Sequence, residues 1–289
     1  MSADPAGDGP PLQPLAYRLR WRPHGIVPGA HPGHGEGTEG EFRRHVSLLR
    51  HPDPRRLDLR ASLRDPFGEL HVRQYAPRRA VPVAALVDLS GSMRFGEAVA
   101  GRVADLCALI AVSAQRAGDP FALFGADAHL REEKCLPFAR RRGQEEDVRR
   151  RLAGVRPTGG QAVEGLIEAA ERLPARRALV FLISDFLMPA SEVARLIDAL
   201  WRHDVVPVVV EDGLLDVALP RWGLVEVADL ETGAVRLVFM RPALRERWRR
   251  ETRARREARE KLFAERGLRP FALTDPLDTE ALARRLMEG

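Results

Sequence analysis

Apolar positions change their spacing several times along the chain, and each change marks an element. Val81 to Val87 is a nearly unbroken apolar run ending at Asp88, the pattern of a strand buried on both faces. Val99, Val103, Leu106 and Ile110 then recur every three or four positions, which predicts an amphipathic helix. Phe121 to Phe124 predicts a second strand, Leu130 to Leu136 a strand at the sheet edge, and Arg140 to Leu152 a charged surface helix. Thr158-Gly159-Gly160 opens a helix that turns Val163, Leu166, Ile167, Ala170 and Leu173 inward. Ala178 to Ile183 is another buried strand, running into Ser184-Asp185; a helix over Ser191 to Trp201 and a strand over Val205 to Val210 follow. Strands separated by helices of this length specify an α/β fold: a mostly parallel sheet flanked by helices, with right-handed crossovers.

The flanks are patterned differently. Residues 1–40 are rich in Gly, Pro and His and are expected to be largely flexible, apart from a candidate strand over Leu15 to Trp21. Residues 41–80 form an arginine-dense arm with turn signals at His51-Pro-Asp-Pro54 and Asp65-Pro-Phe-Gly68. Its alternating segments Leu57-Asp58-Leu59 and Leu70 to Tyr75 predict short strands. The core is taken as residues 81–212. Residues 213–289 carry a hairpin from Gly223 to Met240 turning at Thr232-Gly233, an arginine-rich helix over Pro242 to Arg266, a strand over Pro270 to Leu273 and a helix over Asp278 to Met287. No internal repeat is visible.

Composition narrows the classes. At 289 residues and 45% hydrophobic, the chain is an ordinary globular one with a substantial core. No apolar run approaches the ~20 residues of a membrane-spanning helix. Met1 to Pro11 has no basic start followed by an apolar stretch, so no secretory signal is expected and the cytoplasm is the expected compartment. Cys107 and Cys135, without any CxxC or Cys/His spacing, read as free thiols. The net charge of +5 is carried almost wholly by arginine and interleaved with acids, which describes a mixed solvated surface. Gly35 to Gly40 formally matches GxGxxG, but no apolar strand precedes it, so a dinucleotide site is not expected. His24, His31 and His34, in the same Pro/Gly tract, read as solvated rather than metal-binding.

The chemistry gathers at strand ends, where ligands bind in open parallel sheets. Two buried strands end in aspartate, Asp88 and Asp185. Asp88, Ser90 and Ser92 alternate, so their oxygens can project the same way, and Thr158 would add another from a separate loop. Hard oxygen donors suit Mg²⁺, with Mn²⁺ or Ca²⁺ as substitutes, rather than zinc or copper. With only two carboxylates the ion would keep open positions, one of which an acidic side chain of a partner can take. Helix capping by Ser90 and Ser92 explains those residues singly but not the whole set.

Asp88-Leu-Ser-Gly-Ser92 followed by Met, the distant Thr158-Gly-Gly and Ile-Ser-Asp185 resemble the metal-ion-dependent adhesion site of von Willebrand factor A-type domains, over roughly Pro82 to Asp212. The resemblance implies a von Willebrand factor A-type (Rossmann-like) sheet in which Ser90, Ser92 and Thr158 touch the metal, and Asp88 and Asp185 act directly or through water. Pro52-Asp-Pro-Arg-Arg-Leu-Asp-Leu59, Arg64-Asp-Pro-Phe-Gly68 and Val72-Arg-Gln-Tyr75 further resemble a bacterial group of uncharacterised proteins (domain of unknown function fifty-eight) encoded beside MoxR-type AAA+ ATPases. Leu59 stands where many of that group have tryptophan, and the membrane helices many of them carry are lacking. The resemblance implies no enzyme but a protein-binding module. Its partners would be a MoxR-type ATPase and/or an acidic client, and its task chaperone-like maturation or assembly of another complex.

Two other readings compete. A metal-dependent phosphoesterase also places Asp at a strand end, but the haloacid dehalogenase pattern needs a second Asp where Ser90 stands, and metal nucleases need a denser carboxylate cluster. Glu211 and Asp212 read as ordinary strand-end residues. No GxxxxGK[ST] or Gly-x-Ser-x-Gly occurs. Arg241 to Arg269 carries twelve bases against five acids and would suit a nucleic acid, yet it lacks the interleaved aromatics that stack bases.

Overall fold

A computed structural model of the chain describes residues 13–24, 27–33, 41–93, 97–155, 162–210, 220–228, 235–274 and 276–288, and the statements below concern these residues. In chain order the elements are β1 (Pro28–Pro32), β2 (Glu41–Ser47), α1 (Leu59–Arg64), β3 (His71–Ala76), β4 (Arg78–Arg79) and β5 (Val83–Asp88). Then come α2 (Glu97–Arg116), β6 (Phe121–Ala126), β7 (Leu136–Ala139), α3 (Gln144–Leu152), α4 (Val163–Glu171), β8 (Leu179–Ser184), α5 (Ala190–Ala199) and β9 (Asp204–Val210). β10 (Gly223–Ala228), β11 (Val235–Met240), α6 (Pro242–Glu265), β12 (Phe271–Leu273) and α7 (Thr279–Met287) complete the order.

A six-stranded sheet in the order β12-β9-β8-β5-β6-β7 is the centre of the molecule, parallel except for β7. The continuous apolar run of β5 is explained by burial on both sides. Val83, Ala85 and Val87 pack into the cluster shared with α2, α3 and α7. Ala84 and Leu86 pack into the cluster shared with α4, α5 and the end of α6. Register brings the ends of β5, β6 and β8 level: Val87 pairs with both Gly125 and Ile183, and Asp88 with Ala126. The two aspartates of the sequence pattern therefore emerge side by side at the carboxyl edge.

Several boundaries differ from the sequence expectation. The edge strand is β7, not Leu130 to Leu136. Leu130 makes only an isolated bridge to Ala126, and a short 3-10 turn at Glu132–Lys134 precedes the strand. The charged helix starts at Gln144, because Gly143 adopts φ 79° and breaks the chain direction before it. Leu59 opens α1 instead of ending a strand, since the Asp58 carboxylate caps the helix through the N–H groups of Arg60 and Ala61. The hairpin of β10 and β11 is present, with its turn outside the described residues.

Leu15 to Trp21 is not a strand, although its alternation reports a real contact: Leu15, Tyr17, Leu19 and Trp21 pack on the core. The described part of the flexible-looking N-terminal segment is thus ordered on the domain. His31, expected to be solvated, is buried, and its Nε2 donates to Asp119 at 2.7 Å. Gly35 to Gly40 and His34 lie outside the described residues. Among the described residues, no helix is long and apolar enough to cross a membrane.

Gly165 fixes the seat of α4. A Cβ at this position would stand 2.4 Å from the backbone oxygen of Asp127 and 2.7 Å from the carbonyl carbon of His129, so α4 packs directly on the loop after β6. Alanine would gain about 0.5–1 kcal/mol in helix propensity, but overpacking against backbone costs about 1–3 kcal/mol. Gly165→Ala is therefore expected to lower stability by about 1–2 kcal/mol, read as a fall in the urea midpoint; a stabilised variant would contradict this packing.

Candidate metal centre

Asp88, the last residue of β5, is fully buried. Its Oδ1 accepts hydrogen bonds from the Ser90 N–H at 2.9 Å and the Ser90 hydroxyl at 2.6 Å, an Asx turn that starts the loop. Its Oδ2 accepts from the Ser184 hydroxyl at 2.6 Å. A 3-10 turn at Gly91–Met93 carries the chain on, and Ser92 Oγ lies 3.1 Å from Ser90 Oγ. From β8, Asp185 joins the group. Its N–H reaches Met93 Sδ at 3.1 Å, its Oδ1 accepts from the Leu187 N–H at 3.0 Å, and its carbonyl accepts from the Arg259 guanidinium at 3.0 Å. Phe186, the next residue, has φ 52°, a left-handed conformation costly for an aromatic residue. Its ring, set edge-on to Phe263 with centroids 5.2 Å apart, is buried and holds that turn in place.

Both carboxyls are pushed above the ordinary carboxylate range. Asp185 is pushed up to about 6, first by burial and then by the negative charge of Asp88, with hydrogen bonding from Leu187 and Ser92 and the charge of Arg259 offsetting part of it. Asp88 is raised by burial above all, with the Asp127 carboxylate adding to it, against the hydrogen bonds from Ser184 and Ser90. No hydrogen bond of acceptable geometry reaches Asp185 Oδ2, although the atom is buried. An orphaned anionic oxygen beside a second buried carboxylate is the environment a cation would relieve. The donors are oxygens throughout, carboxylate and hydroxyl, which fit Mg²⁺, Mn²⁺ or Ca²⁺. Among the described residues no three His, Cys, Asp or Glu side chains form a metal-holding cluster, so hydroxyls would have to complete the set.

A pH dependence follows from Asp185. Its folded value of about 6 lies above the ordinary 3.8, so the metal-free fold binds a proton that the unfolded chain has released. The stability this confers is fully present below about pH 4 and is lost as pH rises through about 6, a change on the order of 3 kcal/mol. In chelator, the protein should become less stable between those pH values; a divalent cation should restore the loss above pH 6. A flat or rising chelator curve through that window would contradict the environment described for Asp185.

The structure brings together Asp88, Ser90, Ser92 and Asp185. Thr158, with Gly159 and Gly160, lies outside the described residues, as do Glu211 and Asp212. The site does not sit wholly at a solvent-facing rim: Asp88 and Ser90 are buried. Sequence reasoning did not give roles to Ser184, which holds Asp88, or to Asp127, which repels it. It also missed Met93 and Arg259, which hold the Asp185 backbone. Ser184 was visible in the strand-end pattern; Arg259 lies far along the chain and no local signal points to it.

The family model described as "Protein of unknown function DUF58" matches residues 52–258, more than half of the chain. The chain belongs to the DUF58 family. A relative, an uncharacterized protein of Mycobacterium tuberculosis, is 31% identical over 255 residues, covering 85% of this chain and 78% of that protein. Another, from Paracoccus denitrificans, is named "Uncharacterized protein in moxR 3'region" and is 39% identical over 104 residues, 36% of this chain and 99% of that protein. Among solved structures, a von Willebrand factor type A protein from Catenulispora acidiphila superposes with a TM-score of 0.35 at 17% identity, over 48% of this chain and 35% of that one. This DUF58 chain therefore spans about a third of that protein.

Proposed function

We propose that this DUF58 protein is a metal-dependent protein-binding module and not an enzyme. Asp88, Ser90, Ser92 and Asp185, with Thr158, hold one divalent cation, Mg²⁺ above all, and an acidic side chain of a partner completes its coordination. The observation that carries this reading is the buried, unpartnered Oδ2 of Asp185 beside the equally buried Asp88. Structural ion pairs would satisfy such oxygens directly with arginine or lysine; here hydroxyls and backbone amides surround them, and Arg259, bound to the Asp185 carbonyl, offsets only part of the negative charge. When bound, the cation supplies charge neutralisation and an electrophilic position for a foreign carboxylate. The protein's own groups fix the two carboxylates and exclude water from beneath them.

The partner in this reading is a MoxR-type AAA+ ATPase or its client, in chaperone-like maturation of another complex. The Paracoccus relative, named for its place in the moxR 3' region, supports that association. The test is co-purification of the full chain with a MoxR-type AAA+ ATPase from the same organism, in Mg²⁺ and in EDTA. Retention in Mg²⁺ and loss in EDTA is expected; a complex indifferent to chelator would remove the metal from the account.

A further inference from the structure

The path of α6 places a row of arginines beside the metal centre. α5 descends from the carboxyl edge of the sheet, just after Asp185, to the amino edge, where β9 begins. Arg266, at the end of α6, pairs with Asp198 near the lower end of α5 at 3.3 Å. Arg259, seven residues earlier, reaches the carbonyl of Asp185 at the carboxyl edge. α6 therefore runs down beside α5, and the part before Arg259 extends past the carboxyl edge on the side of the metal centre. From Pro242 to Arg259 that part is about 25 Å long at ~1.5 Å per residue.

This projecting segment carries eight arginines and three glutamates. Arg249, Thr252, Arg253 and Arg256 line a cavity of about 280 Å³. With Arg259 they are spaced three or four residues apart, hence on one helix face. Arg249 and Arg253 are exposed and form no ion pair with the described residues. The axial distance from Arg249 to Arg259 is about 15 Å, which an extended peptide covers in about five residues.

Resting on the metal-dependent reading above, we infer that the partner segment is an acidic run of about five residues, with one carboxylate on the cation and the following ones along the Arg259-Arg256-Arg253-Arg249 face. Charge complementarity selects the occupant. The same face offers a nucleic acid little beyond phosphate contacts: no aromatic lies between Arg249 and Arg259, and the neighbouring Trp248 is half-buried.

The probe is a fluorescein-labelled octaglutamate peptide titrated into the full chain in Mg²⁺ and followed by anisotropy. Three proteins are compared: wild type, Arg249→Glu with Arg253→Glu, and Asp88→Asn. Glutamate is a good helix former and both arginine positions are exposed, so circular dichroism should show an unchanged fold. The double reversal should weaken peptide binding about tenfold or more, and both Asp88→Asn and EDTA should weaken it independently. If the reversal binds as wild type while Asp88→Asn does not, the arginine face is wrong and the metal reading stands. If Asp88→Asn and EDTA change nothing, the metal reading fails and the joint arrangement with it. Displacement of the peptide by an oligothymidylate of equal charge at equal concentration would overturn the choice of an acidic protein segment.

Discussion

Asp88→Asn is expected to leave the fold intact and remove its response to divalent cations. The substitution keeps the volume and one oxygen for Ser90, while the new amide donates to Ser184 Oγ, which already accepts from the Phe186 N–H at 3.0 Å. It also removes a buried negative charge that repels Asp185. Without metal, the variant should therefore melt at or above the wild-type temperature. With metal the order reverses. A cation at about 100 times its dissociation constant stabilises the folded state by about 2.7 kcal/mol, or roughly 5 °C or more in a domain of this size. Wild type should show that shift in Mg²⁺ and the variant none. Equal shifts in the two proteins would show that any cation binds elsewhere.

The largest loss of stability is expected at the opposite edge of the sheet, from Asp119→Ala. Asp119 follows Gly118, whose φ of 72° ends the turn after α2, and it is 1% exposed. Its Oδ1 accepts from the Val81 N–H at 2.8 Å, and its Oδ2 from His31 Nε2 at 2.7 Å and from the Tyr17 hydroxyl. Burial, then the Asp119 charge, pushes the Tyr17 phenol well above its ordinary range, so it stays a donor. Removing the acceptor strands three donors, contributed by the N-terminal segment and by Val81 just ahead of β5. Breaking such a buried group costs about 3–5 kcal/mol. Urea unfolding should report that loss, and limited proteolysis should reach residues 13–33 first, because their anchor is gone. A loss under about 1 kcal/mol would show that the segment is held by its apolar contacts alone.

The contrast between these two sites explains what was legible in the sequence. The sheet was readable because strands such as β5 and β8 are buried on both faces and so must be continuously apolar. Asp88, Ser90, Ser92 and Asp185 were readable because local chain geometry positions them: alternate residues in one loop, and level ends of adjacent strands. The His31–Asp119 contact was not readable, since it joins positions 88 residues apart through side chains with no periodicity. β1 and β2 escaped for a related reason, as they pair with β4 and β3 at the periphery and lack the apolar alternation of a buried face. Arg259 looked like one member of a solvated charge run; only the path of α6 beside α5 sets it against Asp185.

The account rests on a cation held between two buried carboxylates, and counting bound metal tests it most directly. The full chain would be dialysed to equilibrium against micromolar to millimolar Mn²⁺ or Mg²⁺ at pH 7.5 and its metal content measured, alongside Asp88→Asn. The account predicts saturation at one ion per wild-type chain and none for the variant. A wild-type chain that stays empty at millimolar metal, or a variant that fills equally well, would contradict it.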